Sequence, residues 1–349
     1  MKPRHAVSRW VTVLVILHGI VACAGFFAPY DPVEQNRNNP YLPPMRLHFV
    51  DAQGHFHARP FVYAVKLRED TFDQYEDDSR QPNPVRFFVN GSRYYLLGFL
   101  PSRLHLFAGE KNRVCLMGSD GYGRDQFSRF LFGGQISLLA GFMGAGLTLL
   151  IGWCIGIIAG YYGGFLDDLL MRVAELFMAL PWLYLLFAIR AFLPLSVSPT
   201  KAFLLIVGVL GGVGWARPAR LVRSVVLSAK ERDFVRAARG FGANDLYLMR
   251  RHILPETASV IWTQLAILIP QFVMAEMTLS FLGLGVPEPA PSWGNLLSSL
   301  QQYSVLVSYW WMYLPALLMV PFFLGYLRFA SSLQEHGEPY KMEGGVLRG

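Results

Sequence analysis

The chain has 349 residues, 53% of them hydrophobic and only 16% charged, against about a quarter charged in an ordinary soluble domain. Mean hydropathy is +0.33, the net charge is +7 and there are three cysteines. Disorder, a collagen-like repeat and a disulfide scaffold are excluded, because the apolar residues fall in unbroken blocks near the ~20 residues that cross a bilayer.

Trp10 to Ala28 is the first block, interrupted only by His18 and preceded by Lys2, Arg4 and Arg9. A cleaved signal peptide is the competing reading, but the block exceeds the usual 7–15 apolar residues of about that kind of segment. Residues 31–117 then turn polar, aromatic and Pro-containing. Val85, Phe87 and Val89 alternate with Arg86 and Phe88, and Asn90-Gly91 leads into Arg93-Tyr94-Tyr95-Leu96. Alternation around Asn-Gly predicts a hairpin. A second hairpin is expected where Arg46 to Val50 meets Asp51-Ala-Gln-Gly54 and His55. His55 and His57 share a strand face there, with no third ligand to make a metal site.

Five further spans are expected: Ile136–Tyr162, Val173–Leu195 with Pro181 inside it, Ala202–Ala216 extended past Arg217, Ala258–Gly285 carrying Glu276, and Tyr303–Leu327. Along the second of the six, Ala140, Gly144, Thr148, Gly152, Gly156, Gly160 and Gly164 place a small residue every four positions. Such a seam lets a neighbouring backbone approach closely, as tight packing or as a face that meets a partner subunit or slides during gating. Asp168 lies four residues before Arg172, a favourable helical pair. Glu276 lies deepest of the ionisable residues and has no second buried acid or histidine beside it. A hydrogen-bonded structural glutamate is the expectation there, with a proton site as the functional alternative.

Nine basic residues between Arg217 and Arg251 lie between spans four and five. By the positive-inside rule that segment and the N-terminus face the cytoplasm, and 31–117 lies outside. Ser228-Ala-Lys-Glu231 reads as a capping box for a helix running to Arg239. Gly240 and Gly242 end that helix, Asn244 caps a second short helix through His252, and Pro255 suits the first turn of span five. A structured, basic loop of this kind is suited to docking a protein, with an anionic lipid surface as the alternative partner. No lysine in the chain is followed by Ser or Thr. There is therefore no P-loop, and this polypeptide is not expected to hydrolyse ATP or act as an enzyme.

Arg236-Ala237-Ala238, then Gly242, then His252-Ile253-Leu254-Pro255 resembles the EAA loop of ABC importer permeases. Gly118-Ser-Asp120, Gly123-Arg124-Asp125, Ala159-Gly-Tyr-Tyr-Gly-Gly164, Leu279-Ser-Phe-Leu-Gly-Leu-Gly285 and Pro291-Ser-Trp-Gly294 resemble the dipeptide/oligopeptide/nickel branch of that family. The resemblance covers about 118–330. It implies an all-α polytopic fold of the type I importer kind with six transmembrane helices, to which the hairpin signals at 31–117, hardly covered by the resemblance, add a small extracytoplasmic β-rich insertion. The implied boundaries are an N-terminal span at 1–30, the insertion at 31–117, a five-helix core at 118–335 with a coupling loop at about 223–256, and a cytoplasmic tail at 336–349.

The implied role is the permease of an ATP-driven peptide importer in the bacterial inner membrane, with both termini cytoplasmic. Its implied partners are a second homologous permease, two ATPase subunits that hold ATP and Mg, and an extracytoplasmic binding protein. No cofactor, metal or nucleic acid is expected on this chain. Asp233, Arg236, Ala237, Ala238, Gly242, His252, Leu254 and Pro255 would couple to the ATPases. Gly144, Gly152, Gly156, Gly160, Gly164 and Glu276 would serve packing or gating. Arg236 stands where the motif has Glu, Asp233 is the candidate to substitute for it, and Gln135 stands where relatives often carry a basic residue. The alternatives are a nickel-chelate importer of the same family, a proton-coupled secondary transporter using Glu276 or Glu175, and a non-transporting scaffold.

Overall fold

A computed structural model of the chain describes residues 3–67, 75–191 and 198–337. The expected tail beyond 337 and the end of the expected third span at 192–195 lie outside the described residues.

The chain begins with α1 (Pro3–Ala22) and the short α2 (Ala24–Phe27), then rises into a four-stranded antiparallel meander. Its strands, in spatial order, are β1 (His48–Val50), β2 (Phe56–Leu67), β3 (Tyr75–Leu96) and β4 (Leu100–Gly109). The Asp51–Gly54 hairpin forms as expected: the Asp51 carboxylate accepts from the Gln53 and His55 amides at 3.0 and 2.9 Å, an Asx-turn geometry. Hydrogen bonding, chiefly from His57, holds that carboxyl down at about 2.

The expected turn at Asn90-Gly91 does not form. β3 runs straight through it with a register shift between Asn90 and Tyr94, and the chain reverses at Leu97-Gly98, both at positive φ. The reason is tertiary. A Cβ at Gly91 would stand 2.8 Å from the His105 ring across the ladder, so glycine is required there for close approach rather than for a turn. Register shifts at Tyr63/Ala64 and Asn90/Tyr94 curl the sheet.

The helical part follows: α3 (Gln126–Tyr162), α4 (Gly164–Ala179), α5 (Trp182–Ala191), α6 (Pro199–Gly214), α7 (Ala216–Lys230), α8 (Asp233–Gly240), α9 (Asp245–Leu248), a π turn (Met249–Ile253), α10 (Leu254–Phe281), α11 (Trp293–Ser298), α12 (Tyr303–Ser308) and α13 (Leu314–Gly337). Asp125 caps α3, its carboxylate accepting from the Ser128 amide at 2.8 Å. At 1.5 Å per residue α3 is about 55 Å long, well beyond the ~30 Å hydrocarbon layer, so one end projects from the membrane.

The expectation of six spanning helices is corrected. Among the described residues three helices are long and apolar enough to cross a bilayer, or four if the bent pair α6–α7 counts as one span with its 43° bend. Two physical causes account for the difference. In α1 the apolar stretch is only Arg9–Ala22, and the helix breaks at Cys23 before α2. In the third block Pro181 disfavours helical geometry at Leu180, which is extended at ψ 131°, so α4 and α5 form in place of one helix. The last block is also divided: Tyr309 is non-helical between α12 and the start of the final long helix.

The main core lies among α1, α3, α6, α10, α11 and α13, where Leu14, Leu138, Leu210, Phe272, Trp293 and Phe322 pack together. The fold is thus an all-α multi-pass bundle with a curled β-sheet insertion between α2 and α3.

Candidate coupling segment and membrane passage

The seam on α3 is spent within the chain. A Cβ at Gly152 would lie 2.8 Å from the Trp215 carbonyl, at Gly156 2.5 Å from the Ala219 carbonyl, and at Gly160 2.9 Å from the Arg223 carbonyl. These three carbonyls step along α7 four residues at a time, so three glycines of α3 receive one face of α7. Gly144 instead faces Phe272 of α10 and Leu210 of α6 at 3.0 and 3.5 Å. Gly164 lies outside the seam. It follows the end of α3 at φ +60° with open space around it, and with Gly163 it makes the turn into α4. Thr148 donates to the Leu210 carbonyl at 3.2 Å, so the one polar member of the row is satisfied.

Where α3 and α7 leave the seam they hold the segment 231–255. Ile157 and Tyr161 of α3 and Val222, Val226 and Ala229 of α7 form one apolar cluster with Ile253, against which Met249 and Leu254 pack. This burial explains a departure from the capping-box expectation. Ser228 lies inside α7, which continues to Lys230 because Val226 and Ala229 are fully buried on α3; α8 starts two residues after Glu231, with Asp233 in its first turn.

Other local signals hold. The Asn244 side chain accepts from the Tyr247 amide at 2.8 Å, Pro255 occupies the first turn of α10, and Gly242 stands at φ +85°, a conformation that favours glycine. Gly242 has no atom within 4 Å of a notional Cβ, so conformation rather than space selects it.

Polar contacts fix the segment to the bundle. Tyr161 donates to Asp245 at 2.5 Å, Arg239 reaches the same phenol at 3.4 Å, and Lys230 donates to the Gly160 carbonyl at 3.1 Å. Arg232 pairs with Glu256 at 2.8 Å, joining the start of α8 to α10. Arg223 grips Asp167 with two bonds of 2.5 Å, tying α4 to α7; this, not Asp168 with Arg172, is the ion pair that forms.

Arg236 pairs with Glu231 within the segment, so the residue in the glutamate position of the motif carries its own internal partner. The sequence offered no sign of Asp245, Asp167 or Glu231 in these roles, because their partners lie on other elements or across a helix break.

What remains outward on this segment is distinctive. Asp233, Phe234, Arg236, Ala237, Phe241, Leu246 and Tyr247 are exposed, Phe241 by 93%. Ala238, His252 and Leu254 are half-buried behind them and Pro255 is exposed; the His252 ring lies 5.5 Å from Phe234 and 5.7 Å from Tyr247. A fully exposed aromatic at a rigid helix–turn–helix corner, flanked by arginines, is the composition of an interface anchor.

Deep in the bundle Glu276 is fully buried, accepting from Ser137 at 2.5 Å and from Ser280 at 2.6 Å. Ser137 in turn accepts from the Trp293 amide at 3.1 Å. The carboxylate therefore links α3, α10 and α11. Gln135 donates to the Ala22 carbonyl at 3.1 Å.

At the opposite end from the segment 231–255 a charge cluster built on the buried Arg124 and Arg129 closes the bundle. Arg124 pairs with Asp120 at 2.7 Å and with Glu288 at 2.6 Å, and Arg129 pairs with Glu288 at 2.9 Å. A cavity of about 330 Å³ lies beside it, lined by Tyr41, Glu288 and Gln302 among others. A second cavity of about 310 Å³ lies between α4, α6, α7 and α10, with Phe177, Gly214, Arg217 and Gln271 in its wall. Among the described residues no group of three or more His, Cys, Asp or Glu could hold a metal ion.

A bundle of apolar helices that carries a glycine-jointed, outward-facing helical corner defines a multi-pass membrane protein. The chain belongs to the family of binding-protein-dependent transport system inner membrane components, whose profile matches residues 152–334.

It is 40% identical over 199 residues to a putative peptide transport system permease protein of Brucella suis, covering 57% of this chain and 64% of that one. It is 36% identical over 200 residues to the dipeptide transport system permease protein DppC of Bacillus subtilis, covering 57% and 60%. The chain thus matches less than two thirds of the length of these relatives. Among solved structures it is similar to a chain of the inward-facing methionine ABC transporter MetNI, at 18% identity and a TM-score of 0.40, covering 57% of this chain and 94% of that one.

Proposed function

We propose that the chain is the permease subunit of an ATP-driven importer for peptides or similar small solutes in a bacterial inner membrane. One observation carries this most: the segment 231–255 is locked to α3, α7 and α10 by a buried apolar cluster while Phe241, Phe234 and Tyr247 stay outward. A push on that corner reaches the spanning helices without slack.

In this reading two separate ATPase subunits, which bind the ATP and Mg, take the corner of α8 and α9 into a groove. Phe241 would be the anchor and Asp233 the free acid, since Arg236 is engaged by Glu231. Closure of the ATPases moves α8, and the Gly242 turn and Pro255 pass the motion into α10. The cavity between α4, α6, α7 and α10 is half of a path that a second homologous permease completes. An extracytoplasmic binding protein delivers solute to the opposite end.

Six crossings fit the sequence blocks, with α1, α4–α5 and α6–α7 supplying three that are short or bent. The basic residues of α7, α8 and the π turn support cytoplasmic placement of that side, with residues 31–117 outside and both termini in the cytoplasm. The domain boundaries proposed are 1–30, 31–117, 118–335 and 336–349.

The experiment is uptake and ATP hydrolysis by the assembled complex carrying Gly242→Trp. The expected outcome is a chain present in the membrane whose uptake and solute-stimulated hydrolysis are lost. Normal uptake with normal stimulation would remove the lever assignment.

A further inference from the structure

The β3–β4 hairpin carries a tip whose apolar side chains find no cover among the described residues. Tyr95, Leu97, Phe99 and Leu100 are all at least half exposed, Phe99 by 67%. Isolated exposed apolar residues are ordinary, but four gathered at one end of a hairpin mark a contact surface.

The contacts along the hairpin tell which way this end points. α1 and α2 run antiparallel to α3: the Ala22 carbonyl meets Gln135 at 3.1 Å, and the Tyr30 amide meets Ser128 at 3.3 Å. Moving from residue 30 back to 22 therefore moves into the bundle. At its base the hairpin touches Tyr30, whose hydroxyl receives the Gly109 amide at 3.5 Å and the Val114 amide at 2.7 Å. Midway, His105 lies 2.6 Å from the Ala28 carbonyl. Nearer the tip, Tyr94 packs so closely on Gly25 that a Cβ there would be 2.1 Å from its ring. The contacts walk Tyr30, Ala28, Gly25, so the hairpin descends alongside the first span toward the membrane. Leu97 is three residues past Tyr94, about 10 Å further at ~3.3 Å per residue.

We propose that this hairpin tip inserts into the bilayer leaflet on the insertion's side, with the boundary of headgroups and acyl chains as its partner. Interfacial segments bury their apolar face to about this depth, 5–10 Å or so. Arg93 and Arg103 are exposed beside the tip, and the Arg93 guanidinium stands 5.7 Å from the Tyr95 ring centroid. That places two cations where anionic lipid phosphates would lie, with aromatic side chains at the polar boundary. The depth is bounded by the backbone: this part of β3 pairs only with β4, and unpaired strand edges are not stable in the hydrocarbon centre. The tip is therefore an anchor in the interface and not a crossing.

The inference rests on reading α1 as a membrane span, and the test separates the two. The photo-cross-linking residue p-benzoylphenylalanine is placed singly at Phe99, at Gln53 in the other hairpin turn, and at Val15 on the exposed face of α1. Each full chain is reconstituted in vesicles of phosphatidylethanolamine and phosphatidylglycerol and irradiated. Phospholipid adducts are expected at Phe99 and Val15, several-fold above Gln53. Adducts at Val15 but not Phe99, or a Phe99 adduct to polypeptide instead of lipid, would overturn the anchor while leaving the span. Absence of lipid at Val15 would overturn the span reading and the inference with it.

Discussion

The packing of α7 into the glycine face of α3 can be tested by adding one carbon atom. In an exposed helix position Gly→Ala stabilises by up to about 1 kcal/mol, because glycine loses the most backbone freedom on folding. Gly146 lies on α3 with nothing within 4 Å of a notional Cβ, so Gly146→Ala should show that gain. At Gly156 the same Cβ would stand 2.5 Å from the Ala219 carbonyl and 2.8 Å from the Val222 Cβ. Neither atom is the loose end of a side chain, so α7 must move as a body.

Overpacking of this kind costs about 1–3 kcal/mol, and here it also drags the apolar cluster that holds Ile253. Gly156→Ala should therefore be destabilising by roughly 1–3 kcal/mol despite its better helix propensity, and Gly156→Leu by more. The assay is thermal unfolding of the detergent-solubilised chain, with Gly146→Ala as the internal standard. If Gly156→Ala raises the midpoint as much as Gly146→Ala does, the helices are not in the contact described.

Gly242→Asn should be tolerated far better than Gly242→Val, because asparagine enters the left-handed region whereas a β-branched residue there is strained by about 1–2 kcal/mol; ATP-driven uptake by the two variants checks this. Arg223→Ala should destabilise the chain by loosening α4 from α7 and leaving the Asp167 carboxylate without its two bonds, a loss read as a lower unfolding midpoint. Glu276→Leu should cost about 1–3 kcal/mol, the penalty for stranding the Ser137 and Ser280 hydroxyls in a buried site, without shifting the pH dependence of uptake; a proton-driven carrier would lose that dependence.

Burial raises the Asp125 carboxyl to about 6, against lowering bonds from Ser128. A carboxyl whose folded pKa exceeds its unfolded value of 3.8 favours the folded state most when protonated. Its ionisation therefore destabilises the fold progressively as pH rises from about 4 to about 6, by an amount on the order of 3 kcal/mol when complete. Asp125→Asn keeps a competent cap and should remove that slope, so the stability difference between variant and native chain should widen from pH 4 to pH 6 and then level off.

Much of this architecture is written in the sequence where a local rule decides it. The apolar blocks around Ile136–Tyr162 and Ala258–Gly285 become α3 and α10; Asp51–Gly54 turns, Asn244 caps and Gly242 takes positive φ, each because the residue's own chemistry suffices. The failures are places where a distant residue decides. Asn90-Gly91 has the composition of a tight turn, yet His105 on the neighbouring strand needs the missing Cβ. Ser228 opens a capping box that stays unused, because Val226 and Ala229 bury α7 on α3. Arg223 finds Asp167 and Tyr161 finds Asp245 across separations of 56 and 84 residues, which no periodicity reveals. The spans are similar: composition marks the apolar blocks, while Pro181, Cys23 and Tyr309 break the helices within them.

Contact between the exposed corner and a nucleotide-hydrolysing protein is the claim on which the proposed function stands. The direct measurement is p-benzoylphenylalanine at Phe241 in the full chain, expressed beside its natural companions, irradiated in membranes and analysed by mass spectrometry. An adduct to a P-loop ATPase, dependent on the position of the probe and absent at Gln53, is the predicted result. An adduct to phospholipid alone, or none to any nucleotide-hydrolysing chain, would contradict it.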